Sequence, residues 1–242
     1  MFSYIDSHAH ILWHTDDGPD TKEKAVKMLR MAARNGTKHI IATPHYKSLL
    51  PDSPSRDTLV SRVAALNQVA AKENLSIHVY SGNEVYADAD SLDALLNGSA
   101  LTLAESQYVL VELSSLLSTQ VVLQIVLRMR QNGFIPVLAH VERSFRFKNR
   151  LAFSRTLVEN GALLQVDAHS LFYRFGLRAA LFVRKLLRNH LVYVVASDCH
   201  NLTTRAPLSP NIAARLRRIC GEDYAQRLLW DNPMRFLSVY HE

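Results

Sequence analysis

Two histidines stand one residue apart at the end of the first apolar stretch of the chain. Residues 4–10 read YIDSHAH, which predicts a short buried strand that ends in His8 and His10. Residues i and i+2 of an extended backbone point to the same face, so both imidazoles can be directed at one point. A metal ion needs that convergence, whereas a packed core does not. One histidine alone is more often structural, so a metal site requires further ligands elsewhere in the chain.

Other apolar stretches also end in imidazole or carboxylate side chains. The residues concerned are His45, Glu84, Glu112, His140, Asp198 and His200. Imidazole and carboxylate without thiolate suit manganese, iron or zinc. The set is too large for one tetrahedral ion, so it predicts a cluster of two or three ions, which activates a water and holds a phosphoryl oxygen.

Three further residues lie close to these candidate ligands in the sequence. Arg143 and Arg205 each follow one of the histidines and are expected on the same face, where guanidinium groups can bind phosphate oxygens in pairs. The alternative is that both are ordinary surface arginines. Cys199 lies between two candidate ligands on a predicted strand, so its side chain should point away from them and pack in the core.

Apolar segments that alternate with amphipathic helices must position these side chains. After residues 4–10, the predicted strands cover residues 39–43, 76–81 (running on through 82–85), 108–112, 135–140, 162–167 and 191–200. Continuously apolar strands between helices indicate a parallel sheet covered on both faces, and a closed or nearly closed barrel suits this length. All strand carboxyl ends of such a barrel lie on one face. Asp20 and Glu23 predict a capping box for the first helix, which Asn35-Gly36 closes.

The composition is that of a single globular domain, residues 1–242, with 48% apolar residues and a net charge of +6. Arginines are scattered through the second half, which indicates solvated helix faces or, alternatively, attraction to phosphate, an acidic peptide or an anionic membrane surface. Two cysteines and no signal-peptide pattern predict a protein of the reducing cytosol. The apolar stretch 116–127 is too short and too polar to span a bilayer.

Six motifs follow one another along the chain. They are His8-Ala9-His10, Asp16-Asp17-Gly18-Pro19, Ala42-Thr43-Pro44-His45, Gly82-Asn83-Glu84-Val85, His140-Val141-Glu142-Arg143 and Ala196-Ser197-Asp198-Cys199-His200-Asn201. Taken together, they resemble the polymerase-and-histidinol-phosphatase (PHP) superfamily. Within it, the chain is most similar to the bacterial tyrosine-protein phosphatases of capsule and exopolysaccharide loci, the CpsB/CapC/YwqE type, from residue 4 to about residue 208.

The resemblance implies an α/β fold, a distorted (β/α)7 TIM-like barrel of the PHP type in a single domain, with three divalent metal ions. Manganese is the implied metal, with iron or zinc as alternatives. By position, the implied ligands are His8, His10, Glu84 and Asp198 for the first ion, Glu84 (bridging), Glu112 and His140 for the second, and Asp17, His45 and His200 for the third. The resemblance thus adds Asp17, which spacing alone did not select over Asp16. It also implies that Arg143 and Arg205 grip the phosphate.

The implied activity is that of a phosphoric monoester hydrolase in which metal-activated water, and no cysteine, attacks phosphotyrosine. The implied partner is the tyrosine-rich tail of a membrane-bound autokinase that controls polysaccharide export, so any contact with the membrane would be peripheral and through that partner. Val141 and Cys199 depart from the family pattern, which usually has proline and a small residue there. His169 has no counterpart among the family's ligands and is expected either to support the site or to contact substrate.

Two other functions compete with this interpretation. The same metals would serve hydrolysis of a small phosphomonoester such as histidinol phosphate. A rival of another class is a non-catalytic scaffold that binds an acidic, phosphorylated tail through its basic surface, although such a scaffold has no use for three metal ions. The chain carries no polymerase domain or evident nucleic-acid module, so no nucleic-acid partner is expected.

Overall fold

Strands and helices alternate along the chain in the computed structural model, which describes residues 3–47, 53–145 and 149–240. The strands are β1 Tyr4–Ala9, β2 Thr37–Ala42, β3 His45–Tyr46, β4 His78–Ser81, β5 Glu84–Tyr86, β6 Tyr108–Glu112, β7 Ile135–Leu138, β8 Leu163–Asp167 and β9 Val194–Ala196. The α-helices are α1 Lys22–Asn35, α2 Arg56–Lys72, α3 Ser91–Leu96, α4 Thr119–Gln131, α5 Val141–Ser144, α6 Arg150–Glu159, α7 Gly176–Arg188, α8 Ile212–Cys220, α9 Glu222–Gln226 and α10 Asn232–Met234. Short 3₁₀ turns cover Leu103–Glu105, Ala168–Phe172 and Arg235–Tyr240, and a π-helical turn covers Arg227–Asp231.

All paired strands are parallel, in a three-stranded sheet ordered β1-β2-β4 and a six-stranded sheet ordered β3-β5-β6-β7-β8-β9. A bridge between Ala9 and Cys199 joins the first strand to the chain just after the last. The two sheets therefore curl into a distorted barrel, which confirms the predicted fold. All the strands run in one direction, so their carboxyl ends gather at one edge.

Two strands among the described residues raise the number above the seven expected. One is β3, which lies beyond the second predicted strand (39–43) and is separated from β2 by Pro44, which has no N–H to donate to a ladder. The other arises because the third predicted strand is divided into β4 and β5. Between these two, the Asn83 side chain donates to the Pro44 carbonyl at 2.9 Å and accepts from the Leu101 backbone N–H at 2.9 Å. These side-chain bonds replace strand pairing and offset β3 and β5 from β2 and β4.

Two predicted strands end earlier than the apolar pattern indicated. Strand β7 stops at Leu138 and β9 covers only residues 194–196, so neither His140 nor Asp198 lies on a strand. Both residues have left-handed backbones, with φ of 31° and 50°. The N–H of His140 donates to the Gln165 side chain at 2.7 Å, and that of Asp198 donates to the His8 carbonyl at 2.9 Å. Left-handed conformations of this kind cost about 1–3 kcal/mol each and persist where surrounding bonds hold them.

Helix α1 packs on the sheet through Ala25, Met28, Leu29 and Ala32. The predicted cap at Asp20 is wrong, because Thr21 is the N-cap and its hydroxyl accepts from the Lys24 backbone N–H. Asp20 instead forms an exposed ion pair with Lys24. Gly36 closes the helix with φ of 102°, as expected.

Apolar side chains fill the space between the sheet and its helices. Cys199 is fully buried in the cluster that joins β1, β2 and β4 to helices α1 and α2, which confirms its predicted packing role. Another cluster brings Ile5, Leu110 and Val194 against Phe236 and Leu237 near the end of the chain. Within the described ranges, the helices are all too short or too polar to cross a membrane.

Candidate metal centre

The carboxyl edge of the barrel holds every side chain that the sequence nominated. Three groups of imidazole and carboxylate donors lie there, each with its donor atoms within 4.8 Å of one another. We call them the inner set (His8, His10, Glu84, Asp198), the turn set (His10, Asp17, His45, His200) and the glutamate set (His45, Glu84, Glu112). The remaining nominated residues, His140, Arg143 and Arg205, contact members of these sets.

The inner set is buried and its donor atoms are nearly equidistant. The Nε2 atoms of His8 and His10 are 3.1 Å apart, and each lies 3.2–3.4 Å from Glu84 Oε2 and Asp198 Oδ1. Donors that share one ion at about 2.0–2.2 Å lie roughly 3.0–3.6 Å from one another in octahedral or tetrahedral geometry. The spacing of the inner set therefore fits a single divalent cation.

The hydrogen-bonding partners of the two rings support the same interpretation. Nδ1 of His8 faces Gln165 Oε1 at 3.3 Å and Nδ1 of His10 faces Asp16 Oδ2 at 2.5 Å, so both Nδ1 atoms carry the hydrogen. The two Nε2 lone pairs then converge, which is unfavourable without a cation between them. Asp198 Oδ1 is also buried without a hydrogen-bond partner among the described residues. These orphaned acceptors fit a metal ion.

Asp16 orients the inner set from outside it, a role that spacing and motif did not assign. Its side chain is nearly buried and accepts hydrogen bonds from His10, from the His45 backbone N–H at 3.0 Å and from the Gly18 N–H at 3.0 Å. A Cβ at Gly18 would stand 2.7 Å from the His10 carbonyl oxygen, so the turn needs glycine to fold back this closely. The signal that could have found Asp16 is the need of a metal-bound histidine for a carboxylate on its other nitrogen.

Asp16→Asn should weaken metal binding without removing any proposed ligand. The amide cannot reproduce the charged bond to His10 Nδ1, and loss of such an outer carboxylate typically costs 10- to 100-fold in metal affinity, about the change expected here. The check is metal content after dialysis against graded chelator, with Asp20→Asn, an exposed acid of the same turn, as the control. Metal retention equal to that of the unmodified protein would remove Asp16 from this role.

The turn set brings Asp17 to the edge of the barrel. Asp17 Oδ1 lies 3.2 Å from His200 Nε2 and 3.4 Å from His45 Nδ1. Since His200 Nδ1 faces the Asp198 carbonyl at 2.9 Å, its Nε2 is left as an acceptor, and this atom is buried without a hydrogen-bond partner in the described residues. The geometry thus groups Asp17, His45 and His200, as the resemblance implied, and Asp16 contacts the same group because its Oδ2, which bonds His10, also lies 3.3 Å from His45 Nδ1.

Glu84 connects the sets because its two oxygens face different partners. Oε2 lies 3.2 Å from His45 Nε2 and is shared with the inner set, whereas Oε1 lies 2.8 Å from His140 Nε2. Glu112 is further out, 3.9 Å from both His45 Nε2 and His140 Nε2. A carboxylate divided in this way suits a bridge between neighbouring ions, the role that the resemblance implied for Glu84.

The electrostatics of the site favour cations. Burial alone would raise the pKa of Glu84 and of Asp198, but the neighbouring imidazoles hold both pKa values well below the usual range. Burial likewise opposes charge on His45, yet Asp16 and Asp17 raise its pKa to about 9. The carboxylates are therefore ionised at neutral pH, and in the metal-free protein the protonated imidazoles balance part of the charge that a metal ion would otherwise balance.

The two nominated arginines meet at one oxygen of the inner set. Asp198 Oδ2 lies 2.9 Å from Arg143 Nη2 and 2.6 Å from Arg205 Nη2, while Oδ1 of the same carboxylate faces the imidazoles. Both side chains remain about a quarter exposed, at 23% and 25%. The two guanidinium groups can therefore receive an anion from solvent at the rim of the donor sets.

Several buried groups behind the site were not nominated as site residues. Gln165 Oε1 accepts from His140 N–H and faces His8, so one side chain fixes two histidines. Asp167 accepts from Arg143 Nη1 at 3.3 Å and from the His169 backbone N–H at 2.7 Å. The His169 ring faces the Ala206 carbonyl at 2.9 Å, which supports the loop after Arg205 rather than reaching the donor sets. Such roles depend on tertiary contacts that no spacing reveals.

The cysteines are unsuited to nucleophilic attack. Cys199 is fully buried, and burial raises the pKa of its thiol well above the ordinary value. Burial also raises the pKa of Cys220 to about 11. Reactive cysteines need a lowered pKa and access to solvent, and Cys199 has neither.

Comparisons with known proteins agree with the motifs. The sequence profile of the family described as capsular polysaccharide synthesis, CpsB/CapC, matches residues 4–238. The chain is 33% identical over 204 residues to tyrosine-protein phosphatase YwqE of Bacillus subtilis (strain 168), covering 83% of this chain and 79% of that protein. It is 28% identical over 241 residues to tyrosine-protein phosphatase CpsB of Streptococcus pneumoniae, covering 96% and 98%.

A solved structure gives the same result for the fold. It comes from work on YwqE of Bacillus subtilis and CpsB of Streptococcus pneumoniae, described as unique metal-dependent tyrosine phosphatases. The TM-score is 0.88 at 29% identity, and the match covers 97% of this chain and 94% of that one. These matches confirm the resemblance that the six motifs indicated.

Proposed function

We propose that this chain, which belongs to the CpsB/CapC family, is a metal-dependent protein-tyrosine phosphatase, with residues 1–242 forming one phosphatase domain. The observation that carries the proposal is the position of Asp198. One of its oxygens completes a buried cation site and the other holds Arg143 and Arg205, so cation binding and anion binding meet at a single carboxylate. That juxtaposition suits the hydrolysis of a phosphate ester.

The proposed ligands are those that the sequence nominated, arranged around three divalent ions, with manganese as the proposed metal. The first ion would take the inner set, the second Glu84, Glu112 and His140, and the third Asp17, His45 and His200. The convergent lone pairs of His8 and His10 and the unpartnered Asp198 Oδ1 support the first of these assignments most directly. Bound divalent ions would supply Lewis acidity and an activated water.

The protein side chains bind and orient the phosphoryl group. Arg143 and Arg205 offer planar pairs of N–H donors, which match phosphoryl oxygens better than a lysine would. Asp167 fixes Arg143 from behind, and the Phe175 ring lies 4.5 Å below its guanidinium carbon, so the arginine is held before substrate arrives. With both cysteines unsuited to attack, no covalent phosphocysteine is needed.

The proposed substrate is phosphotyrosine in a protein, and the names of the two relatives support this class. The finer proposals are that the substrate is the tyrosine-rich tail of a membrane-bound autokinase, that the protein works in the cytoplasm, and that it meets the membrane only through this partner. The absence of a membrane-spanning helix among the described residues is compatible with that arrangement.

Arg205→Ala should weaken phosphate binding far more than metal binding. Each charge-assisted hydrogen bond contributes about 1.5–3 kcal/mol, so the inhibition constant of inorganic phosphate should rise about 10- to 100-fold. The measurement is competitive inhibition of p-nitrophenyl phosphate hydrolysis, with metal content determined on the same sample. Arg205→Lys keeps the charge but loses the planar pair of donors. Its inhibition constant for phosphate should lie between those of the unmodified protein and Arg205→Ala. An unchanged inhibition constant, or loss of metal instead, would contradict the assignment.

One comparison of substrates tests the function itself. The purified protein is given a phosphotyrosine peptide, a phosphoserine peptide of the same sequence and histidinol phosphate, and kcat/KM is measured with the metal content of the sample. We expect the phosphotyrosine peptide to be preferred. Preference for histidinol phosphate would favour a small-molecule phosphatase. A protein that purifies without stoichiometric metal and binds the peptide without hydrolysing it would favour a scaffold.

A further inference from the structure

A basic cavity opens beside the metal centre. It has a volume of about 720 Å³ and is lined by Glu142, Arg143, Phe145, Arg150, Phe175 and Arg178. A neighbouring cavity of about 480 Å³ shares Arg150 and is lined on its far side by Leu181, Phe182 and Lys185 of α7. We call the two together the arginine groove, defined by Arg143, Arg150, Phe175, Arg178, Leu181 and Lys185. It lies between the start of α6 and the outer face of α7.

Arg143 pairs with Asp167 and Asp198, but the other positive charges of the groove have no such partner among the described residues. In the part of the chain that the structure describes, no carboxylate lies within ion-pair distance of Arg150, Arg178 or Lys185. Arg150 instead packs its guanidinium 4.0 Å from the centre of the Phe182 ring. Burial and then the charge of Arg178 lower the pKa of Arg150, so the two guanidinium groups repel one another. An anion between them would relieve that repulsion.

The single acid that lines the cavity does not neutralise it. Glu142 is buried and directs Oε1 inwards to the Ser170 hydroxyl, 2.6 Å away, and to the Asp167 backbone N–H, 3.0 Å away. The groove surface is therefore cationic, with the aromatic face of Phe175 beside it.

Arg143 belongs both to the groove and to the metal centre. Its Nη2 reaches Asp198 Oδ2 at 2.9 Å, while the same side chain lines the cavity and stacks on Phe175. A phosphotyrosine bound at Arg143 therefore has its neighbouring residues at the mouth of the groove. Successive residues of an extended peptide advance about 3.3 Å, so groups one to three residues away can reach Arg150 and Arg178.

We propose that the arginine groove is a second anion subsite, which binds an acidic side chain of the substrate polypeptide close to the phosphotyrosine. The acidic group is a carboxylate or a second phosphoryl group, since two guanidinium groups recognise both. This inference rests on the proposed phosphatase function. The groove is concave and begins at the metal centre, which suits a peptide chain better than a flat anionic membrane surface.

The test compares phosphotyrosine peptides of equal length that differ only within three residues of the phosphotyrosine. One peptide carries glutamates there, one carries glutamines and one carries a second phosphotyrosine in place of a glutamate. We expect kcat/KM to be about 10-fold higher for the glutamate peptide than for the glutamine peptide at low salt, and this ratio to shrink as ionic strength rises. The third peptide shows whether carboxylate or phosphoryl is preferred.

Arg178→Gln should reduce the glutamate-to-glutamine ratio about 5- to 10-fold, and Arg178→Glu should reverse the preference. Arg178 is exposed and makes no ion pair within the described ranges, so its replacement leaves packing intact. Arg188→Gln is the matched control, because Arg188 is exposed on the same helix and lines neither cavity. Arg150→Gln, checked by thermal unfolding because of its contact with Phe182, should act in the same direction.

The outcomes distinguish failure of the proposed anion subsite from failure of the proposed phosphatase function. Hydrolysis of all three peptides at equal rates would overturn the subsite and leave the phosphatase function standing. Absence of hydrolysis of any phosphotyrosine peptide by metal-loaded protein would overturn both. The last measurement is binding of the protein and of Arg178→Gln to vesicles of phosphatidylglycerol and phosphatidylcholine. If Arg178→Gln abolished vesicle binding while the peptide ratio stayed constant, the groove would be a membrane contact and the proposal would fail.

Discussion

Asp198→Ala should reduce kcat/KM on p-nitrophenyl phosphate by at least about a thousandfold. The substitution removes a donor of the inner set and, at the same time, the carboxylate oxygen that holds Arg143 and Arg205 in place. Residues that act as a unit lose most of their effect when any one of them is removed. Turnover, metal content and circular dichroism measured together would distinguish loss of the site from loss of the fold.

Two further variants make that result specific. Asp198→Asn keeps the shape of the side chain but removes its negative charge. Its metal content should therefore fall while its fold is retained. Asp93→Ala removes an exposed aspartate of α3 and should leave turnover unchanged. Full activity with full metal content in Asp198→Ala would remove this residue from the site.

Chelation should stop turnover and also lower the melting temperature. A metal that binds only the folded protein stabilises it by about 4 kcal/mol at a thousandfold excess over its dissociation constant. For a chain of this size, 1 kcal/mol corresponds to a shift of about 2–4 °C, so removal of metal should lower the melting temperature by roughly 10 °C. Calorimetry with and without chelator measures that shift independently of activity.

Alkylation of thiols is the control for chelation. Cys199 is inaccessible and no cysteine faces the donor sets, so treatment with iodoacetamide should leave turnover intact. Adding back manganese, iron or zinc one at a time would then rank the metals. Activity that survived chelation but disappeared on alkylation would reject the metal mechanism.

The positions of the candidate ligands could be predicted from the sequence because parallel strands impose a simple rule. Apolar strands end at one face of a barrel, so polar side chains at strand ends meet there whatever their separation in the chain. His8 and His10 also follow directly from the alternation of an extended backbone. The bond between Asp16 and Nδ1 of His10 could not be predicted from the sequence, because the position of Asp16 depends on the path of a turn that folds back at Gly18.

The boundaries of the strands show where local preference loses to tertiary contacts. Apolar residues continue through residue 139 and from 191 to 196, yet the backbone leaves the sheet before His140 and Asp198 because Gln165 and the His8 carbonyl accept their N–H groups. Arg150 and Arg178 give a second example. Their sequence pattern is that of solvated helix faces, and only the folded structure, in which Arg150 stacks on Phe182 of α7, reveals that they share a cavity.

The inner set draws on β1, β5 and the loop after β9, and the bridge between Ala9 and Cys199 closes the barrel beside it. On the ribosome, His8 therefore leaves the tunnel long before Asp198. At about 5–20 residues per second, the delay between them is roughly 10–40 s. Throughout that interval the nascent chain presents a bare His-x-His pair, which by the Irving–Williams order binds zinc or copper more tightly than manganese. The four donors of the inner set can therefore act together on a metal only after the segment that follows β9 has been translated.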